Sequence, residues 1–352
     1  MSASPSTPAF LRDLSAVLAS SLDNDHTDNF DHDRFGPEVR VTVDRQKGLE
    51  LVLGSLDALA GTYELLADAP SRQLFVELLA YRILGHRKVK LPLGHTRYRD
   101  VLAQAGQLLD RSRSIPTGFQ DGSLYYMDLQ PIGIPLQLYG SAGVVLSDFI
   151  IKQYEHTTAT GKQIGVREGD VVIDAGACWG DTALTFALRA GSGGRVYSCE
   201  FLPDNLRIFH ANLDLNPALR DRIEIVPHAV WRTSDERLRF EQRGPGTKVQ
   251  TGNAPPDPVR CQSIAIDDLV RERGIPRVSF IKMDIEGAEM AAIEGAAGTI
   301  RRFRPRLAIS VYHRFTDLTE IPAALHALVP EYEFTLGHYS MHLEETVLYA
   351  TT

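Results

Sequence analysis

From Gly169 onward the chain alternates short apolar runs with amphipathic ones. "DVVIDAG", "GRVYSCE", "IEIVPHAV", "VSFIKMD" and "RLAISVY" have the length and β-branched content of buried strands. Between them, "DTALTFALRA", "PDNLRIFHANLDLN", "SIAIDDLVRERG" and "AEMAAIEGAAGTIRRF" repeat apolar residues at helical spacing. A further helix is expected around Ile321 to Leu328, followed by a hairpin-like pair, "YEFTLGHYS" and "ETVLYAT". Strands that alternate with helices predict an α/β doubly wound sheet, largely parallel, with helices on both faces. Residues 238–260, broken by "RGPGT" and "NAPPDP", read as an insertion or an excursion at the sheet edge.

The first part of the chain has another rhythm. Residues 1–9 are rich in Ser, Pro and Ala and are expected to be disordered; residues 22–37 form a polar loop. Helical patterns run from Leu49 to Ala67, from Ser71 to Leu84 and from Tyr98 to Leu109. "SLYYMDL" and "PLQLYG" then read as short strands. Residues 1–122 are therefore expected as a mostly helical N-terminal region, serving as a lid or a dimerisation surface, and residues 123–352 as the main domain.

Composition narrows the function classes. The net charge is -8 and there is no long basic run, which argues against a nucleic-acid binder. No apolar run approaches the length of a membrane span, and "MSASPSTPAF" lacks the features of a signal peptide. The 3 cysteines, Cys178, Cys199 and Cys261, show no metal-ligand spacing. A reduced, cytoplasmic setting and a small-molecule partner are expected.

Doubly wound sheets bind ligands at the carboxyl ends of their strands. The first strand here ends in Asp174 and Gly176, with Gly180 and Asp181 at the start of the next helix. The second strand ends in Glu200, where an acid can accept both hydroxyls of a ribose. A dinucleotide loop needs a third glycine to seat its pyrophosphate, and this loop lacks it. Two acids beside the glycines suit a cationic ligand better, and S-adenosylmethionine carries a sulfonium and an ammonium but no phosphate.

"VVIDAGACWGDTAL", "VYSCEFLPDNL", "NLDLNP", "IKMDIEGAE", "ISVYHR" and "HYS…ETVLYA" together resemble the FkbM-type methyltransferase family. The resemblance spans residues 165–350. It implies a class I, Rossmann-like methyltransferase fold of seven strands with the last antiparallel, S-adenosyl-L-methionine as methyl donor and S-adenosyl-L-homocysteine as product. It further suggests O-methylation of a hydroxyl on a natural product or sugar. Carried over by position, Asp174, Gly176, Gly180 and Asp181 fall at the methionine part, Glu200 at the ribose, and Phe201, His228 and Ala229 at the adenine. Asn205 and His210 read as surface or packing residues.

Asp284, His313 and His338 end the fourth, fifth and sixth predicted strands, which places them on one edge of the sheet. His313 is the expected general base for the acceptor hydroxyl, with Asp284 and His338 beside it. Glu289 reads as an acid in the first turn of a helix, favoured there by the dipole. If a metal takes part, Asp284, Glu286 and His313 are its expected ligands. The aspartate pair of familiar metal-dependent methyltransferases is absent after the fifth strand, which favours a metal-free mechanism. Acceptors at nitrogen, carbon or carboxylate, a nicotinamide-dependent oxidoreductase and a non-catalytic binding module remain as alternatives.

Overall fold

The structure is a computed structural model that describes residues 7–36, 44–119, 122–241, 246–249 and 259–352. Its centre is a seven-stranded sheet built from β1 (Val171–Ala175), β2 (Arg195–Cys199), β3 (Ile223–Val226), β4 (Phe280–Met283), β5 (Arg306–Ser310), β6 (Glu333–His338) and β7 (Thr346–Thr351). The spatial order is β6-β7-β5-β4-β1-β2-β3. All neighbours from β3 to β5 pair in parallel, and β7 runs antiparallel to both β5 and β6. The central strands are buried along their length, as a sheet covered by helices on both faces requires. The carboxyl ends of β1, β2, β4 and β5 share one edge, and the order reverses between β1 and β4, the crevice where such sheets take ligands.

The crossover helices match the expected ones at Asp181–Ala190 and Pro203–Leu215. Three expectations change. "SIAIDDLVRERG" begins as a strand, Val259–Ile264, before the helix Ile266–Glu272. The run after "DIEG" is two helices, Glu289–Glu294 and Ala297–Phe303, and Gly295 between them lies against the Trp231 carbonyl, where a side chain would collide. The expected excursion over 238–260 is a separate small sheet whose strands Arg237–Glu241, Lys248–Val249 and Val259–Ile264 join Ala229–Val230. "NAPPDP" and most of "RGPG" lie outside the described residues.

At the N-terminus the helix Thr7–Ser21 starts inside the segment expected to be disordered, and a short helix, His32–Phe35, interrupts the polar loop. The helix expected from Leu49 to Ala67 is two, Arg45–Gly54 and Leu56–Leu65, followed by Ala69–Leu84 and His95–Gly106. These helices cover the edge strand β6. Ala67 N donates to the Phe334 carbonyl at 2.8 Å, and Leu336 N donates to Ser71 Oγ at 2.9 Å. Phe10, Leu59 and Phe75 share one apolar core with Ile321, Phe334 and Leu336. Covering β6 in this way removes an unpaired sheet edge that would otherwise template aggregation.

The two expected short strands, Ser123–Asp128 and Gln137–Gly140, form an antiparallel sheet with a third, Leu109–Pro116. Asn212 and Asn216, the asparagines of "NLDLNP", fasten this sheet to the helix after β2. Tyr139 N donates to Asn212 Oδ1 at 2.7 Å and Gln137 N to Asn216 Oδ1 at 3.1 Å. From there the chain passes through a π-helical segment, Val145–Ile151, into the sheet. No helix among the described residues is long and apolar enough to cross a membrane.

Candidate active site

A cleft of ≈ 420 Å³ opens at the carboxyl edge of the sheet, within the size range of small-molecule sites. Its floor is the loop after β1. Gly176 has φ +88°, and a Cβ there would sit 2.0 Å from the Asp284 carbonyl oxygen. Only glycine lets the β1 and β4 loops approach so closely. Gly180 serves packing instead: at φ +83° it lies against the Phe209 ring and does not line the cleft.

Asp174 also differs from its expected place. It is fully buried beneath the loop, away from the cleft lining. Its Oδ2 accepts from Thr182 Oγ1 at 2.9 Å and Ser198 Oγ at 3.3 Å, and its Oδ1 lies 3.4 Å from Lys282 Nζ. Lys282 in turn donates to the Gly176 and Ala175 carbonyls at 2.7 and 3.3 Å. Burial opposes the Lys282 charge, but Asp174 and the other acids around it raise its pKa. The pair thus holds the β1 loop from below, while Asp181 is the loop acid that faces the cleft.

At the β2 end, Glu200 Oε1 accepts from the backbone N–H of Phe201 at 2.6 Å and of Leu202 at 2.7 Å. Glu200 Oε2 accepts one bond, from Asn205 Nδ2 at 3.1 Å, and keeps lone-pair capacity toward the cleft. Asn205, read from the sequence as surface or packing, therefore orients this carboxylate. Beyond Glu200 the wall becomes apolar: the Phe201 and Phe240 rings meet at 37° with centroids 4.2 Å apart, and His228 and Ala229 also line it.

The far end is polar. Asp284, at the end of β4, accepts from Tyr154 Oη at 2.8 Å and lies 3.4 Å from Tyr312 Oη. Burial pushes its carboxyl up, but His313, Lys282 and Tyr154 together hold it below the usual carboxylate range. Asp148, Asp181, Glu200, Glu286 and Glu345 also line the cleft, against Lys282 as the only lysine or arginine among the described lining residues. The Asp181 Oδ1 atom is buried without a hydrogen-bond partner. Burial, and then Asp181, raise Asp148 well above the ordinary carboxylate range. Such a donor set fits a cationic ligand and does not fit a pyrophosphate.

The two expected catalytic histidines are corrected. His313 does not line the cleft; its side chain is 3% exposed. Its Nδ1 is 3.0 Å from Glu289 Oε1, and its Nε2 is 3.5 Å from Asp284 Oδ1 and 3.6 Å from Glu286 Oε2. Burial opposes its charge, but Glu286, Glu289 and Asp284 raise its pKa to about 11, so without another cation it is an imidazolium and no base. His338 is buried off the cleft, with Nδ1 2.9 Å from Thr346 Oγ1; Tyr339, Ser340 and His342 reach the lining in its stead. Glu289 is more than a helix-dipole acid: it is fully buried and accepts from Ile285 N at 2.9 Å.

The expected lid also moves. Among the described residues of 1–122 only Tyr98 lines the cleft, and the segment Ser141–Tyr154 supplies much of its wall. Asp148, Tyr154, Lys282 and Glu345 escaped the sequence reading. Acids or lysines inside apolar runs, "VLSDFII" and "FIKM", were the available signal for two of them.

Residues 163–336 match the family model for the methyltransferase FkbM domain. Among solved structures, the methyltransferase FkbM of Methylobacillus flagellatus KT is similar at a TM-score of 0.52 and 20% identity, covering 85% of this chain and 59% of that one. The chain thus spans less than two thirds of that protein, and at this identity the likeness shows the fold alone. A putative rRNA-methylase from Clostridium thermocellum (TM-score 0.35, 13% identity, 53% of this chain and 87% of that one) is more distant. So is Aeropyrum pernix fibrillarin, solved with natively bound S-adenosyl-L-methionine (TM-score 0.35, 14% identity, 68% and 97%). No curated protein matches the sequence. With the strand order and the reversed last strand already in place, the family match identifies residues 163–336 as a methyltransferase FkbM domain of the class I methyltransferase fold.

Proposed function

We propose that this protein transfers the methyl group of S-adenosyl-L-methionine to a hydroxyl of a small polar molecule, a natural product or a sugar. The observation that carries this reading is the order of surfaces along the cleft. A Phe201–Phe240 wall suits adenine, Glu200 suits a ribose diol, and Asp181 on the floor, with Asp148 facing it, suits a sulfonium and an ammonium. When bound, the donor supplies an electrophilic methyl group, and S-adenosyl-L-homocysteine is left. The chain's own residues hold the donor with its cationic part toward Asp284, and they orient the acceptor. Asp284, with Tyr154 and Tyr312 on its two oxygens, is placed to hold the acceptor hydroxyl in line with the methyl group.

The acids at this end also bear on the alternatives. Asp284, Glu286 and Glu345 would repel an acceptor carboxylate, which favours a neutral or cationic acceptor. The Ser141–Tyr154 wall, rather than the N-terminal helices, keeps water from the reacting groups.

The test has two parts. S-adenosyl-L-homocysteine should raise the melting temperature of the protein by mass action, and NADH should not. Methyl-labelled donor should then label hydroxylated small molecules in a panel of sugars and polyols. Stabilisation by NADH with none by S-adenosyl-L-homocysteine would overturn the reading.

A further inference from the structure

We propose that Asp284, Glu289 and His313 hold a divalent metal cation beneath the acceptor end of the cleft. Ligand atoms of these three residues lie within 4.8 Å of one another. A first-row divalent ion bound at roughly 2.0–2.2 Å places its ligand atoms up to about 4.4 Å apart, a span close to the one these residues present. Carboxylate and imidazole together suit Mn²⁺, Fe²⁺ or Zn²⁺.

The second observation is what the cluster leaves unsatisfied. Glu289 is fully buried, and its Oε2 atom has no hydrogen-bond partner. His313 is nearly as buried, and neither ring nitrogen makes an aligned hydrogen bond, although carboxylate oxygens stand 3.0–3.6 Å away. Buried carboxylates need a compensating charge. Lys282 pairs with Asp174 and two carbonyl oxygens and acts on Asp284 only through the field of its charge, and Lys248, 3.7 Å from Glu286, is half exposed. An imidazolium balances one of the two charges on Asp284 and Glu289. A divalent ion balances both and leaves His313 neutral. The sequence favoured a metal-free site because no aspartate pair follows β5; Glu289, reaching back from the next helix, supplies the missing carboxylate.

The access route runs past Asp284 and Glu286, which both line the cleft. On the hydroxyl-acceptor reading above, an ion there would lower the acceptor's pKa. The O–H proton would pass to the cleft-lining Glu286 carboxylate as the oxygen bonds the methyl carbon and the carbon–sulfur bond breaks. Ion binding itself does not depend on that reading.

The experiment is a Mn²⁺ titration of the full-length, chelator-dialysed protein without donor, followed by electron paramagnetic resonance. One saturable Mn²⁺ per chain is expected, and pulsed spectra of the unaltered protein should show nitrogen coupling from a directly bound imidazole. His313→Ala should remove that coupling and weaken binding on the order of 100-fold, and Glu289→Gln by roughly 10–100-fold. The proposal is overturned by the absence of a saturable site, by a site without nitrogen coupling, or by unchanged binding in His313→Ala. Each result would leave an imidazolium clamp as the account of the cluster. The wild-type spectrum decides the matter even if a variant fails to fold, and it is independent of whether S-adenosyl-L-homocysteine binds.

Discussion

Glu200 offers a direct test of the donor site, provided the substitution is chosen from the structure. Alanine removes more than a ribose contact. The Phe201 and Leu202 N–H groups at 2.6 and 2.7 Å and the Asn205 amide at 3.1 Å would all lose their acceptor. A buried donor left unsatisfied costs about 1–3 kcal/mol. Weak donor binding by Glu200→Ala would then be confounded with a disordered start to the helix Pro203–Leu215. Glutamine keeps an oxygen for the two backbone donors and removes the charged acceptor at the other position. Hydrogen bonds to charged groups contribute roughly 1.5–3 kcal/mol, so Glu200→Gln should weaken S-adenosyl-L-homocysteine binding about 10- to 150-fold. Calorimetric titration measures that loss, and a melting temperature near wild type shows that the helix start has survived. A well-folded Glu200→Gln protein that binds S-adenosyl-L-homocysteine within about twofold of wild type would refute the assignment of the ribose to this carboxylate.

Three further outcomes are expected. Lys282→Met leaves Asp174 buried without its counter-ion and should cost about 3–5 kcal/mol in urea unfolding, most of it recovered in Lys282→Met/Asp174→Asn; a single-variant cost below about 1 kcal/mol would contradict the buried pair. Burial, with His342 nearby, depresses the His338 pKa to about 3, below the roughly 6.5 of an unfolded histidine. The unfolded chain then binds more protons between those values, so stability is complete above about pH 6.5 and falls, by at most about 5 kcal/mol, as pH drops toward 3. His338→Asn should flatten that decline relative to wild type, and parallel stability profiles for the two proteins would rule the contribution out. Deleting residues 1–106 should give aggregated protein, because the N-terminal helices cover β6 and share its core; a monomeric truncation that binds S-adenosyl-L-homocysteine would disprove that role.

Local pattern was enough to place most of the main domain. Alternating strands and helices, Gly176 at the end of β1 and Glu200 at the end of β2 are legible because strand length, helical period and glycine at a positive φ are all local in sequence. The breaks at Ser55 and Gly295, and the strand hidden at the front of "SIAIDDLVRERG", were not, because apolar periodicity continues across them. The site divides the same way. Its edge of the sheet follows from topology, which put Glu200 and Asp284 on the cleft, while the family resemblance put Asp181, Phe201, His228 and Ala229 there. Which way each side chain faces could not be read from either. Asp174 turns under the loop to Lys282, His313 turns away from the cleft to Glu289, and His338 turns into the core toward Thr346. Each of these orientations is fixed by a charge or hydroxyl contributed from another strand or helix, so only the tertiary structure, where distant residues become neighbours, decides between a ligand, a counter-ion and a buried packing group.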